Sequence, residues 1–164
     1  MGTAKYILTL HDRFEAKTHN MAQRNINVRP APNGIWVTAT THGQDLNVYM
    51  ETAESWEVNV SFSGEPAKFL AGNFGVEVGF SRTVTKSVGA SATCPNVPLG
   101  YSIRPEIYDA VKVHTGLADE WDEAGYVGEV SYEITEPDEP AGGLQASVPI
   151  LRGGGDPPPP GGGN

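Results

Sequence analysis

The first residues that could support chemistry are His11, Glu15 and His19, each four positions from the next. On a helix this spacing would place all three side chains on one face, where imidazole and carboxylate groups could bind a zinc ion. The segment is polar on all sides, however, so a loop or a short solvated helix is favoured over an organised site. These residues are weak metal candidates, and no metal or other cofactor is predicted.

A second group is the acidic cluster, defined as Asp119, Glu120, Asp122 and Glu123. Clustered carboxylates suit calcium, but these four lack the fixed alternation and the central glycine of the calcium-loop signature. The pattern is more typical of a solvated acidic loop. Such a loop could contact basic residues of a neighbouring molecule.

Two short patterns involve Cys94 and Asn59. Cys94 lies on an apolar face directly before Pro95, which predicts a small buried side chain rather than a nucleophile. Asn59 begins an Asn-Val-Ser glycosylation sequon, but it lies on the polar face of a predicted strand, where surface polarity accounts for it. The sequence has no Gly-x-Ser-x-Gly elbow, phosphate loop, His-Glu-x-x-His or dinucleotide fingerprint. The protein is therefore predicted not to be an enzyme.

Composition limits the partners and the compartment. The formal net charge of −9 disfavours a nucleic-acid partner, because binding phosphates requires an excess of Lys and Arg. It equally disfavours electrostatic adsorption to anionic lipid. A single cysteine excludes an intrachain disulfide framework. No signal peptide is visible at the start of the sequence, and an extracellular or particle-associated location is favoured.

Alternation of apolar and polar residues dominates the chain and is typical of half-buried strands. The clearest example runs from Trp56 to Phe62. At least six such segments predict an all-β fold, either an antiparallel β-sandwich or a jelly-roll-like arrangement. Helix is expected, if anywhere, near residues 11–24 or 117–124.

The longest alternation runs from Phe74 to Cys94 and keeps one parity for 21 residues. A straight strand of that length would reach roughly 70 Å, so it must bend or bulge, most cheaply at its glycines. A second alternating run extends from Tyr101 to His114. Together the runs predict one long antiparallel β-ribbon over about residues 74–114. Its predicted interaction residues are Arg82, Thr83, Val84, Lys86, Val88 and Arg104.

One β domain is predicted over residues 1–152, followed by a flexible Gly/Pro-rich tail at 153–164. No side chain of the tail can bury substantial apolar area, so the tail is not expected to pack into the core. The residues expected to form that core are Trp56, Val58, Val60, Phe62, Val76, Val78, Phe80, Ile103, Ile107, Val111, Val113, Val130, Tyr132 and Ile134.

The stretch Val58–Thr115, and especially Phe80 to Val88 with the Pro-containing turn and alternating strand that follow, resembles the β-pore-forming modules of the aerolysin and epsilon-toxin/mosquitocidal-toxin type. Such families carry Ser/Thr-rich amphipathic strands that unfurl into barrel hairpins with one side toward lipid and the other toward a lumen. The resemblance implies a lipid side of Val84, Val88, Ala90 and Ala92 and a lumen side of Thr83, Thr85, Ser87 and Ser91.

Three functions of different classes are compatible with these features. The first is a non-enzymatic structural subunit of a particle, filament or surface assembly, which self-associates through its β-sandwich, ribbon and tail. The alternative is a secreted pore-forming-toxin-like protein whose amphipathic hairpin inserts into membranes. Arg82 and Lys86 on the lipid side would oppose insertion by ~2–4 kcal/mol each near the midplane, so the structural subunit is preferred. The third is a ligand-binding β module.

Overall fold

The protein is described by a computed structural model that covers residues 13–152. Strands contain 64% of the described residues and helices 6%, and the sheets are antiparallel, which confirms the all-β prediction. Among residues 13–152, no helix combines the length and the apolar character needed to cross a bilayer.

Twelve strands are present in the described chain, most of them short. They are β1 (Arg13–Ala16), β2 (Asn20–Pro30), β3 (Val37–Thr38), β4 (Gln44–Tyr49), β5 (Glu54–Asn59), β6 (Ser61–Ser63), β7 (Ser81–Lys86), β8 (Ser91–Val97), β9 (Tyr101–Ile103), β10 (Pro105–Asp122), β11 (Gly125–Ala146) and β12 (Ile150–Leu151). They form a five-stranded sheet in the order β1-β10-β11-β6 with β2 also on β10, a three-stranded sheet β12-β9-β3, and the pairs β4-β8 and β5-β7.

The helical residues form α1 (Pro66–Leu70) and a 3₁₀ helix (Ala71–Phe74). Pro66 suits the first turn of a helix, and Gly75, at a φ of 77°, ends it in the left-handed conformation that glycine adopts at little cost. The expectation of helix near 11–24 or 117–124 is wrong, because the described residues there lie mainly in strands.

The alternating stretch predicted as one ribbon over 74–114 is divided differently. Within it β7 pairs with β5 and β8 pairs with β4, while residues 87–90 form the connection. The long hairpin consists of β10 and β11, which are joined at Glu123 and Ala124. Alternation fixes which face of a strand is buried but not which strand pairs with it, and the pairing partners lie far away in sequence.

The chain divides into two compact units. Unit 1 comprises the described residues of Met1–Arg24, Asn59–Arg82 and Val111–Asp138, and unit 2 those of Asn25–Val58, Thr83–Ala110 and Glu139–Asn164. Each unit is built from three separated chain segments, so a single domain over 1–152 stays a prediction. The predicted tail at 153–164 lies outside the described residues.

The core of unit 1 forms around α1 and the five-stranded sheet. Phe62 in β6 lies opposite the fully buried Ile134 in β11. The other members of this core are Ala67, Leu70, Ala71, Val76, Ala118 and Tyr132, with Phe14, Val60 and Phe74 packed against them.

Unit 2 has two apolar clusters. One contains Ala39, Leu46, Val48, Val97 and Ile103, with the half-buried Cys94 packed against it. The other contains Ala31, Met50 and Ile107, with Trp56, Ala90 and Leu144 packed against it.

Most of the predicted core residues are buried or half-buried. Val78 is the exception, with 63% of its surface exposed. It lies in a turn in which the N–H of Phe80 donates to the carbonyl of Glu77, and Gly79 adopts a φ of 85°. The predicted parity is therefore broken at residues 77–80, where the backbone leaves the strand conformation.

Candidate functional site

A connected group of titratable and aromatic side chains lies in unit 1 and is called the histidine cluster: His19, Phe74, His114, Tyr132 and Glu136. Nε2 of His19 lies 2.9 Å from Nδ1 of His114, and Nε2 of His114 lies 2.6 Å from Oε2 of Glu136. The ring of Phe74 stacks on His19 at a centroid distance of 3.9 Å and on His114 at 5.7 Å. His114 is only 5% exposed, so the middle of this hydrogen-bonded chain is buried.

Backbone hydrogen bonds hold the segment before His19 against β10. The N–H groups of Lys17 and Thr18 both donate to the carbonyl of Leu117, at 2.8 and 3.1 Å. The N–H of Leu117 donates to the Thr18 hydroxyl at 2.9 Å, and the Tyr132 hydroxyl donates to the Thr18 carbonyl at 2.7 Å. The connection between β1 and β2 is therefore anchored directly beside the cluster.

The hydrogen-bonding roles in the cluster follow from its acidic end. A carboxylate only accepts, so Nε2 of His114 carries a proton that it donates to Glu136. The contact between the two imidazole rings then holds one proton, either on Nδ1 of His114 or on Nε2 of His19. His19 is exposed overall, but partial desolvation of its ring lowers its pKa below the ordinary 6.5, and the charge of His114 lowers it further. Burial raises the pKa of Tyr132 above its usual 10.0, so its hydroxyl remains a donor at neutral pH.

The contacts of His114 with His19 and Glu136 link the β1–β2 connection to the long hairpin formed by β10 and β11. In residues 13–152 no group of three or more His, Cys, Asp or Glu side chains is placed to hold a metal ion.

The structure does not place the predicted metal candidates, His11, Glu15 and His19, on one face of a helix. His11 lies outside the described residues. Glu15 lies in β1 opposite Asp119, and its carboxylate is 3.8 Å from Nε of Arg13. His19 bonds to His114 instead. The helical premise fails because the described part of the segment is extended, and residues four apart along a strand are separated by roughly 13 Å.

Sequence reasoning missed His114 and Glu136. His114 falls on the polar parity of its alternating run, together with Arg104 and Lys112, which predicts exposure. In the structure both Val113 and His114 are buried, and the rings of His19 and Phe74 stack on that of His114. No local pattern in the sequence links residues 19, 114 and 136.

The predicted interaction residues of the ribbon differ widely in exposure. Thr83 and Val88 are exposed, Val84 is buried, and Arg82, Lys86 and Arg104 are intermediate. Arg82 belongs to unit 1 and lies 5.8 Å from the Phe80 ring, whereas the other five belong to unit 2.

Arg104 is engaged inside unit 2. Its guanidinium lies 5.0 Å from the Trp36 ring centroid, and that of Arg152 lies 4.9 Å from the same ring. Nε of Arg104 is also 3.6 Å from a carboxylate oxygen of Glu106. Cation–π contact and ion pairing thus fix this side chain within its own unit.

The acidic cluster is largely part of a strand rather than a loop. Asp119, Glu120 and Asp122 lie in β10, and only Glu123 lies in the turn to β11. Asp119 accepts a hydrogen bond from the Tyr126 hydroxyl at 3.2 Å. Asp122 and Glu123 are exposed, so the hairpin tip retains the predicted acidic surface.

Unit 2 exposes a group of large apolar side chains called the apolar patch: Leu99, Val148, Ile150 and Leu151. Their exposed fractions are 55%, 80%, 44% and 59%. Ile150 and Leu151 form β12, an outer strand of its sheet, and pair with Ser102 and Tyr101 of β9. The N–H of Arg152 donates to the carbonyl of Gly100 at 3.4 Å, which keeps Leu151 near Leu99 in the fold.

Comparison with known proteins gives a limited result. No protein-family model and no curated protein matches the sequence. A solved structure that matches is that of the parasporin-2 Bacillus thuringiensis toxin that recognizes cancer cells, at 11% identity and a TM-score of 0.23. The match covers 90% of this chain and 75% of that one. At this score the chain bears only a faint resemblance to the toxin structure.

Proposed function

We propose that this protein is a non-enzymatic structural subunit that self-associates through the apolar patch of unit 2. The observation that carries the proposal is the 80% exposure of Val148, which precedes the exposed edge-strand residues Ile150 and Leu151 by two and three positions. Single exposed apolar residues are common on soluble proteins, but several exposed aliphatic residues on and beside one edge strand are typical of an interaction surface.

The partner that suits this surface is a second copy of the chain. In the described sheet β12-β9-β3, β12 pairs on one side only. Such an edge offers backbone donors and acceptors to another strand, and side chains beside it supply apolar contact. An edge that meets its own copy across a two-fold axis is automatically self-complementary.

The charge of the chain limits how the copies can meet. With a formal charge of −9 on each, two copies repel one another, so the contact must exclude most carboxylates. The apolar patch meets this condition because its four members are aliphatic. Arg152 directly follows Leu151 in the sequence and adds a positive charge beside this member of the patch.

The proposal is tested by replacing Val148 with Asp and measuring the native mass by light scattering. We expect an oligomer for the parent chain and at least a tenfold weaker association for V148D, because an unpaired charge would enter an apolar contact. Val127→Asp is the matched control, since Val127 is 52% exposed but lies in unit 1. A monomeric parent chain, or equal weakening by both variants, would remove this proposal.

A second candidate function is membrane insertion by residues 81–97. Its two strands, β7 and β8, are each held by one neighbour, in the pairs β5-β7 and β4-β8. Two-stranded pairs are marginally stable in isolation, so such a segment can be detached more easily than a strand inside a larger sheet. Thr83, Thr85 and Thr93 are exposed and Val84 is buried, whereas the exposed Val88 is the apolar exception among the outward residues of its connecting turn.

A further inference from the structure

The histidine cluster joins two imidazole side chains, those of His19 and His114, to a short connection in unit 1. We propose that the cluster is a pH-sensitive latch: charging both His19 and His114 breaks their contact and frees residues 17–19 from β10. The latch goes beyond the proposed self-association, because it acts within unit 1 and does not involve the apolar patch.

The contact between the two rings has room for only one proton. Nδ1 of His114 and Nε2 of His19 are 2.9 Å apart, and one of them must accept for a hydrogen bond to exist. When both rings are charged, each of these nitrogens carries a hydrogen, and two donors face one another. The hydrogen bond is then lost, and two like charges are left at contact distance.

The two charged rings, His19 and His114, cannot find new hydrogen-bond acceptors within the cluster. His114 is buried and its other nitrogen is occupied by Glu136 at 2.6 Å. Phe74 stacks on both rings and offers no hydrogen-bond acceptor. His19 is the partner that can leave, because it lies in the connection between β1 and β2 rather than in a strand.

The surrounding charges do not cancel the effect. Glu136 is a single carboxylate and balances one of the two imidazolium charges. Tyr132 is neutral because burial raises its pKa. On the connection itself, Lys17 bonds to Glu129, and this hydrogen bond raises the pKa of the lysine, so it stays cationic. The negative charge of Asp119 also raises the pKa of Lys17.

The direction of the pH effect follows from the pKa of His19, which partial desolvation and then the charge of His114 lower below 6.5 in the latched state. The released His19 would titrate at about 6.5 and would therefore bind more protons than the latched one below that pH. The latch is thus at full strength above about pH 6.5 and weakens as the pH falls below it. Each unit by which the pKa is lowered favours release by up to about tenfold.

Hydrogen exchange of the full chain, corrected for intrinsic exchange rates, measures the opening directly. Protection of the Lys17, Thr18 and Leu117 amides, which form the bonds of the latch, should fall between pH 7.5 and 5.5, by at most about tenfold. Protection in β4 of unit 2 should stay constant. Constant protection of the latch amides across this range would overturn the proposal.

Two substitutions remove the titration while keeping part of the contact. His19→Phe preserves an aromatic ring against Phe74, and His19→Gln preserves a donor toward His114. Neither side chain can be charged, so in both variants protection at residues 17 and 18 should no longer depend on pH. His42→Gln is the matched control, because it removes an exposed histidine of unit 2. If amide protection at residues 17 and 18 still falls with pH in His19→Gln, another group causes the opening and the latch proposal is wrong.

Discussion

At the scale of single residues, Gly142 in β11 occupies a position with no room for a larger side chain. A Cβ atom at this position would lie 2.6 Å from the carbonyl oxygen of Tyr108 and 2.9 Å from the Trp56 ring. The first of these atoms belongs to the backbone and cannot move aside without disturbing β10. Unit 2 therefore depends on the absence of a side chain at this position.

Gly142→Ala should consequently lower the free energy of unfolding by about 1–3 kcal/mol, the usual cost of overpacking. Calorimetric melting of parent and variant measures the change. Gly72→Ala is the control, because a Cβ there meets no atom within 4 Å. That control should be neutral or slightly stabilising, since alanine suits the 3₁₀ helix better than glycine. Equal effects of the two substitutions would contradict the packing argument.

At the scale of elements, the alternation of apolar and polar residues buries one face of most of the short strands. Pairing of β6 with β11 places Phe62 directly opposite Ile134, at the centre of the unit 1 core. The long β10–β11 hairpin is also the element that brings His114 and Glu136 together. A strand of only three residues, β6, thus completes the edge of the largest sheet.

Phe62→Asp should destabilise unit 1 by at least about 3 kcal/mol, because an aromatic contact is lost and a charge enters an apolar cluster. Urea unfolding followed by circular dichroism measures the loss. Asn59→Asp adds the same charge at an exposed position of nearly equal shape and should change stability by less than about 0.5 kcal/mol. A parent-like unfolding curve for Phe62→Asp would show that the inward parity of β6 is wrong.

At the scale of the whole molecule, the question is whether the chain acts on other copies or on membranes. Its acidity opposes adsorption to anionic lipid, and Arg82 and Lys86 oppose burial of residues 81–97 in hydrocarbon. Within the described chain the aliphatic surface most suited to contact is the apolar patch of unit 2. Self-association is therefore the preferred function.

Dye release from neutral liposomes separates the two functions. We expect no release by the parent chain and none by the double variant Arg82→Val, Lys86→Val. If the segment inserted, removing both charges would lower the insertion cost by ~2–4 kcal/mol for each residue near the midplane and would increase release. Circular dichroism verifies that the variant is folded. Strong release by the parent chain would place membrane insertion first.

The sequence by itself determined the class of the fold and much of its buried surface. Period-two alternation is a local property, so it indicates strands and their inward faces, and it correctly placed Val58, Ile107 and Ile134 in the interior. Cys94, which alternation predicted to be buried, is half-buried. The same local signal broke down at Val78, where Gly79 allows a turn that alternation does not encode.

Only the tertiary structure decided which strands pair and which polar groups meet. The sequence pattern favoured a ribbon at 74–114, whereas the long hairpin is β10–β11, because strand pairing depends on contacts between distant segments. The histidine cluster is hidden from sequence for the same reason. His19 and His114 are 95 residues apart, and only the docking of the β1–β2 connection on β10 brings their rings within hydrogen-bonding distance.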